Sequence, residues 1–166
     1  MEPVEVVPYD DSWPERFQRE RRDLLKAIGD WAVGGIHHVG STAVRGLDAK
    51  PVIDILVGVE DLESSWPCIG LVAPLGYLDA PYRAREMHWL CKPDPNQRTH
   101  HLHIVPVASR RFDDELAFRD LLRADPELRA RYAALKHRLA AEFRHDREAY
   151  TEGKASFVAE CLPSAG

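Results

Sequence analysis

Residues Ile36 to Val59 constrain this 166-residue chain more than any other stretch, because they set one carboxylate, Asp54, inside an apolar run. The segment reads as a short strand, a Gly40-Ser41 turn, a mixed polar loop, then the strand Pro51-Val52-Ile53-Asp54-Ile55-Leu56-Val57-Gly58-Val59. An acid among Val, Ile and Leu is costly to bury unless a cation or a hydrogen-bond donor meets it. The loop between Ser41 and Asp54 is long enough to bring the second strand back beside the first. A small-residue turn that can approach a phosphate, next to a strand-borne acid that can hold a metal, is one way to build a nucleotide site.

The rest of the chain supplies elements to pack around these strands. Ser12-Trp13-Pro14-Glu15 predicts a capping box opening a helix over 13–29, with Phe17, Leu24, Leu25 and Ile28 at helical spacing. Strands are expected over 35–39 and 51–59, and a second helix over 60–75 closing near Gly76. Two further strands, 85–92 and 99–107, are joined by the turn residues 93–97 and should pair antiparallel. Ser109 caps a helix to about Ala124, Asp125-Pro126 opens the next, and Asp146 caps a last one carrying Tyr150, Phe157 and Cys161. With 45% hydrophobic residues and no repeat or linker, residues 1–166 are expected to form one α+β (mixed α/β) domain. It should have a small mixed sheet with helices packed on it and a C-terminal helical segment.

A net charge of −5 leaves no broad basic footprint, so nucleic acid is not an expected partner. Three cysteines without CxxC spacing fit buried thiols in a reducing compartment better than a disulfide frame. The N-terminus lacks the pattern of a signal peptide, and no apolar run reaches membrane-spanning length. A soluble, cytoplasmic protein is expected.

Four groups of residues carry chemistry. Gly40, Ser41 and Thr42 can cradle a phosphate oxygen or simply form a tight turn with a capping hydroxyl. Arg45 and Lys50, in the following loop, favour the phosphate reading. Asp54 is a ligand for Mg²⁺ or Mn²⁺, or an acid paired with Lys50 or an arginine; Leu56, which shares its strand face, is apolar. In Arg98-Thr99-His100-His101-Leu102-His103, strand alternation puts His101 and His103 on one face. They read as a hydrogen-bonded surface or, with Asp54, as a site that zinc could occupy. One of His37 and His38 could add a ligand. Arg119 and Arg123 share a helical face and could line a nucleotide pocket, whereas Lys136 reads as part of a solvated face.

The ordered set His38-Val39-Gly40-Ser41-Thr42-Ala43-Val44, Gly46-Leu47, Lys50-Pro51-Val52-Ile53-Asp54-Ile55, Arg98 to His103, Phe118-Arg119-Asp120 and Tyr150-Thr151-Glu152-Gly153-Lys154 resembles the GrpB family. The resemblance runs from Val4 to about Phe157 and implies a nucleotidyltransferase-like fold of the DNA-polymerase-β type. It also suggests a link to dephospho-CoA kinase, to which GrpB-like domains are fused. Gly40, Ser41 and Asp54 match the superfamily's phosphate and metal positions. Leu56 stands where a second acid is expected, and His101 and His103 stand where a third would come.

Three functions follow as expectations, the last of them a transition-metal site of Asp54, His101 and His103 serving a hydrolytic reaction. The first is a metal-dependent nucleotidyltransferase, with Asp54, His101 and His103 as catalytic and metal-binding residues, acting on an NTP and a small-molecule or protein acceptor. Gly40, Ser41, Thr42, Arg45, Lys50, Arg98, Arg119 and Arg123 would hold the nucleotide. The second is a degenerate nucleotide- or phosphometabolite-binding module that lacks the second metal-binding carboxylate.

Overall fold

The computed structural model describes residues 3–162. In chain order the elements are α1 (Trp13–Ile28), β1 (Ile36–Val39), β2 (Ile53–Val59), α2 (Leu62–Ser65), α3 (Pro67–Val72) and β3 (Leu78–Asp79). There follow β4 (His88–Asp94), β5 (Gln97–Pro106), α4 (Arg110–Ala124), α5 (Pro126–Glu142) and α6 (Arg147–Cys161). The strands form one mixed sheet in the order β1-β2-β5-β4-β3. Among the described strands only β2 and β5 run parallel. The α+β class expected from the sequence is the one observed.

Strand alternation sorts the side chains into two layers. Ile53, Ile55, Val57 and Val59 of β2 pack with Leu102 and Ile104 of β5 against Trp13, Phe17, Leu24 and Ile28 of α1 and Cys68 and Val72 of α3. On the other face Leu56 joins Val39, Trp89, Cys91 and Val105 beneath Phe112 of α4. A third cluster seats the β1–β2 loop, through Val44 and Leu47, on Phe118 and Leu122 of α4 and Tyr132 of α5. Leu56 is fully buried among apolar neighbours, so a charged side chain at that position would be costly. No helix among the described residues is long and apolar enough to cross a membrane.

Three local expectations are corrected. Ser12 does not cap α1 through its hydroxyl: its backbone is already helical, and its N–H donates to Asp10 Oδ1 at 2.8 Å. The aspartate two residues upstream has taken the turn, an arrangement its short carboxylate favours. The helix expected over 60–75 is two short helices and a 3₁₀ turn. Pro67 has no N–H to continue α2 and opens α3 instead, and Pro74 sits in the 3₁₀ turn that ends at Gly76, whose φ is +98°. Finally, β2 starts at Ile53, leaving Lys50, Pro51 and Val52 in the loop.

Gly58 shows how tightly α4 is pressed onto the sheet. A Cβ there would lie 2.7 Å from Phe112 Cε2 and 2.9 Å from Gly34 Cα. Gly58→Ala should therefore cost about 1–3 kcal/mol by overpacking. Urea denaturation reads this directly, and an unchanged midpoint would show that α4 can lift away freely.

Candidate functional site

Asp54 lies near the start of β2, opposite Val39 of β1 and opposite His101 of the parallel strand β5. Directly opposed residues share a face, so the register brings the carboxylate and the His101 imidazole together. His101 Nδ1 donates to Asp54 Oδ1 at 2.9 Å. Two residues on, His103 sits on the same face with its Nε2 3.8 Å from the same oxygen. The other side of the carboxylate abuts Gly40: a Cβ at that glycine would fall 2.3 Å from Asp54 Oδ2, and its φ is +72°. Gly40 is required because Asp54 occupies its side-chain space.

Glu115 of α4 completes the cluster. Its Oε1 accepts a hydrogen bond from His103 Nδ1 at 2.7 Å. That partner fixes the tautomer: with the proton on Nδ1, the Nε2 lone pair of neutral His103 faces the Asp54 carboxylate. Two acceptors so placed need a proton or a metal ion between them. Carboxylates that orient ligating histidines in this manner are a recurring feature of metal sites. One atom each of Asp54, His101 and His103 lies within 4.8 Å of the others. His101 Nε2 and Glu115 Oε2 are buried without a partner. One carboxylate and two imidazoles suit Zn²⁺ or Mn²⁺; they do not provide the oxygen-rich shell that Mg²⁺ takes.

The electrostatics agree with the geometry. Burial pushes the Asp54 pKa up, but the His101 hydrogen bond, His101, His103 and Lys154 outweigh it and hold the group at about 2. Burial lowers His101 against the pull of Asp54. For His103 burial is overcome by Glu115 and Asp54, so its pKa is raised.

Next to this acid stands a group of part-buried amines. Burial lowers Lys154, with Asp54 opposing the change. Burial and the neighbouring Lys154 push Lys50 down to about 8 and Lys136 to about 7. Lys50 and Lys154 lie over the Tyr150 ring, with Nζ 5.4 and 4.6 Å from its centroid, and Lys136 lies 4.9 Å over Tyr132. Lys136, expected on a solvated face, is instead 1% exposed and donates to the Asp48 carbonyl. Arg98 and Arg147 both donate to the Pro95 carbonyl, at 2.8 and 3.1 Å, and Arg98 stacks 4.9 Å over Trp89.

The structure thus brings Asp54, His101, His103, Gly40, Ser41 and Lys50 together, with Arg98 bordering them. Others are elsewhere. The Thr42 hydroxyl is buried, donating to the Val52 carbonyl and accepting from His38 Nε2, both at 2.9 Å. His37 donates to the Gly34 carbonyl and His38 stacks on Phe17, so neither joins the cluster. Arg119 and Arg123 donate to the His38 and Ala43 carbonyls beside the outer edge of β1, and Arg45 is exposed beyond the turn. Sequence reasoning missed Glu115, Lys136, Tyr132, Tyr150 and Arg147. Among them only Tyr150 carries a local signal, standing four residues before Lys154 on one helical face.

A fold of this type is nucleotidyltransferase-like. The chain superposes on 42% of a Cid1 poly(U) polymerase crystal structure with 80% of its own length, at TM-score 0.53 and 14% identity. It belongs to the GrpB family: residues 3–164 match the GrpB protein family. Against the crystal structure of the conserved protein GrpB from Enterococcus faecalis the TM-score is 0.84 at 31% identity, covering 94% of this chain and 93% of that one. A UPF0157 protein of Pseudomonas aeruginosa is 41% identical over 98% of this chain and 67% of its own length. A dephospho-CoA kinase of Mycolicibacterium paratuberculosis is 30% identical over 92% of this chain, which spans 43% of that enzyme.

A depressed acid pKa makes stability depend on pH. Asp54 contributes stability that is fully present above its ordinary value of 3.8 and is lost as pH falls through about 2. In EDTA, the wild type should lose on the order of 2 kcal/mol across that window, and Asp54→Asn should lose none of it. Acid titration of the unfolding midpoint for both proteins measures the difference.

Proposed function

We propose that this protein binds an NTP together with one divalent cation and transfers the nucleotidyl group to a small-molecule or protein acceptor. The observation that carries this reading is the pairing of an Asp54–His101–His103 cluster with the amines of Lys50, Lys136 and Lys154. Lys50 and Lys154, which share Asp54 as their nearby acid, and the buried Lys136, which has Asp48 as well, are poorly compensated, and a polyphosphate compensates them. The likeness of the fold to a poly(U) polymerase and the resemblance to part of a dephospho-CoA kinase support nucleotide chemistry.

Asp54, His101 and His103 would hold the cation, which when bound neutralises charge developing on the reacting phosphate. Ser41 and the amines of Lys50 and Lys154 bind the remaining phosphates, and Arg98 adds charge at the border. Glu115 keeps His103 in the tautomer that faces Asp54. This reading takes residues 1–166 as one domain in the cytoplasm, where the free thiols of Cys68, Cys91 and Cys161 persist.

The second reading is a nucleotide- or phosphometabolite-binding module without turnover. It is favoured by the buried Leu56, which leaves room for one cation where polymerase-type transfer employs two.

Thermal unfolding with ATP, GTP, CTP or UTP, each with Mn²⁺, Zn²⁺, Mg²⁺ or EDTA, tests both. One nucleotide at about a hundred times its Kd should stabilise the wild type by roughly 2.7 kcal/mol. The Mn²⁺- or Zn²⁺-dependent part should vanish in Asp54→Ala, and Lys154→Met should weaken nucleotide binding at least tenfold. Metal-dependent NTP binding that survives in Asp54→Ala would sink the assignment. Binding without pyrophosphate release from any acceptor mixture would favour the second reading.

A further inference from the structure

The arginines that do not reach Asp54 line a separate groove. Two adjoining cavities of about 650 and 350 Å³ share Pro14, Ala43 and Arg123 and run between α1, β1, the Gly40–Ala43 turn and the α4–α5 corner. Arg45 and Arg129 line the larger one with Tyr9; Arg21 and Arg119 line the smaller. Five arginines therefore line these adjoining cavities in a protein whose net charge is −5, and Asp11 is the one acid among the described lining residues.

These charges are largely uncompensated. Arg119 pairs with Asp120 at 3.0 Å, but that side chain is 62% exposed and is not among the groove's lining residues. Arg123 and Arg129 spend their N–H groups on carbonyls, Arg123 on Ala43 and Arg129 on Leu122 and Arg123. Carbonyls hold the guanidiniums in place and leave their charge available, since they carry no formal charge of their own. Tyr9, braced edge-on against Trp13 at 5.2 Å, gives the larger cavity an aromatic wall. Their size is that of small-molecule sites, which run to about 300–1,000 Å³.

We infer that this groove is a second binding site, for a small molecule bearing two or more phosphates, independent of metal and of Asp54. Arginine forks match phosphate oxygens bidentately, so the ligand is held by charge and geometry together. The site lies behind the turn that serves Asp54. Gly40, at its start, packs on the Asp54 carboxylate, while Ala43, at its end, lines the groove and is held by Arg123. The acidic net charge of the chain favours a small ligand over a nucleic-acid strand.

Sodium tripolyphosphate, titrated calorimetrically in EDTA, is the probe. The side chains of Arg21 and Arg45 make no hydrogen bond or ion pair among the described residues, so Arg21→Ser/Arg45→Ser removes charge without removing a side-chain contact of that kind from the fold. The double variant should weaken probe binding at least tenfold, while Lys154→Met and Asp54→Ala should each retain a binding event of wild-type affinity. In the wild type, amide NMR should show the probe shifting Ala43, Arg45 and Arg123, which tests the site even if the double variant is unstable. Wild-type affinity in the double variant, loss of all binding in Lys154→Met, or shifts confined to residues around Asp54 would overturn the inference. So would tighter binding of a short single-stranded oligonucleotide than of tripolyphosphate. Failure of the nucleotide site alone would appear as groove binding with no metal-dependent NTP effect.

Discussion

The arrangement turns on the solvation of Asp54. A carboxylate placed in an apolar strand must find donors within the protein, and the parallel pairing of β2 with β5 delivers His101 directly opposite it. From that single requirement several neighbours follow. Gly40 has to lack a side chain because the second carboxylate oxygen fills the space. His103 has to present Nε2 because Glu115 takes its other nitrogen. The amines of Lys50 and Lys154 can crowd together only because an anion is close by.

The helices supply what the sheet cannot. α4 presses Phe112 onto Leu56 and Gly58 and in doing so sets Glu115 against His103. The same helix turns Arg119 and Arg123 toward the far edge of β1, where Arg119 donates to the His38 carbonyl of that edge strand and Arg123 to the Ala43 carbonyl of the turn that follows it. α5 and α6 then lay Tyr132 and Tyr150 beneath the lysines. One helical layer thus serves both the Asp54 cluster and the arginine groove, with the β1–β2 turn as the wall between them.

Chemistry that needs two closely spaced cations would need a second acid beside Asp54, and packing decides against it. Position 56 is sealed under α4 with Val39, Trp89 and Val105, so an apolar residue is what the fold accepts there. Histidines on β5 give the site nitrogen donors in place of further carboxylates. Such a donor set suits borderline metals better than Mg²⁺.

Much of this was legible in the chain. Period-two alternation placed His101 with His103 and Asp54 with Leu56, and helix caps at Ser109, Asp125 and Asp146 marked three helix starts that the structure keeps. The local signals failed where a competing local partner or distant packing prevailed. Asp10 displaced Ser12 in its turn, Pro67 broke one helix into two, and Lys136 looked solvated on its own helix while Tyr132 and the Asp48 carbonyl awaited it. Glu115 was invisible for the same reason: in Asp113-Asp114-Glu115 it is one acid of three, and only the packing of α4 chooses it. Four of the five strands, the caps at Ser109, Asp125 and Asp146, the apolar faces and the lone acid were readable from local sequence, because propensity, capping and periodicity act over a few residues; the two-residue β3 was not. Tertiary structure alone decided which charges meet, since the β2–β5 register and the seating of α4, α5 and α6 join residues tens of positions apart.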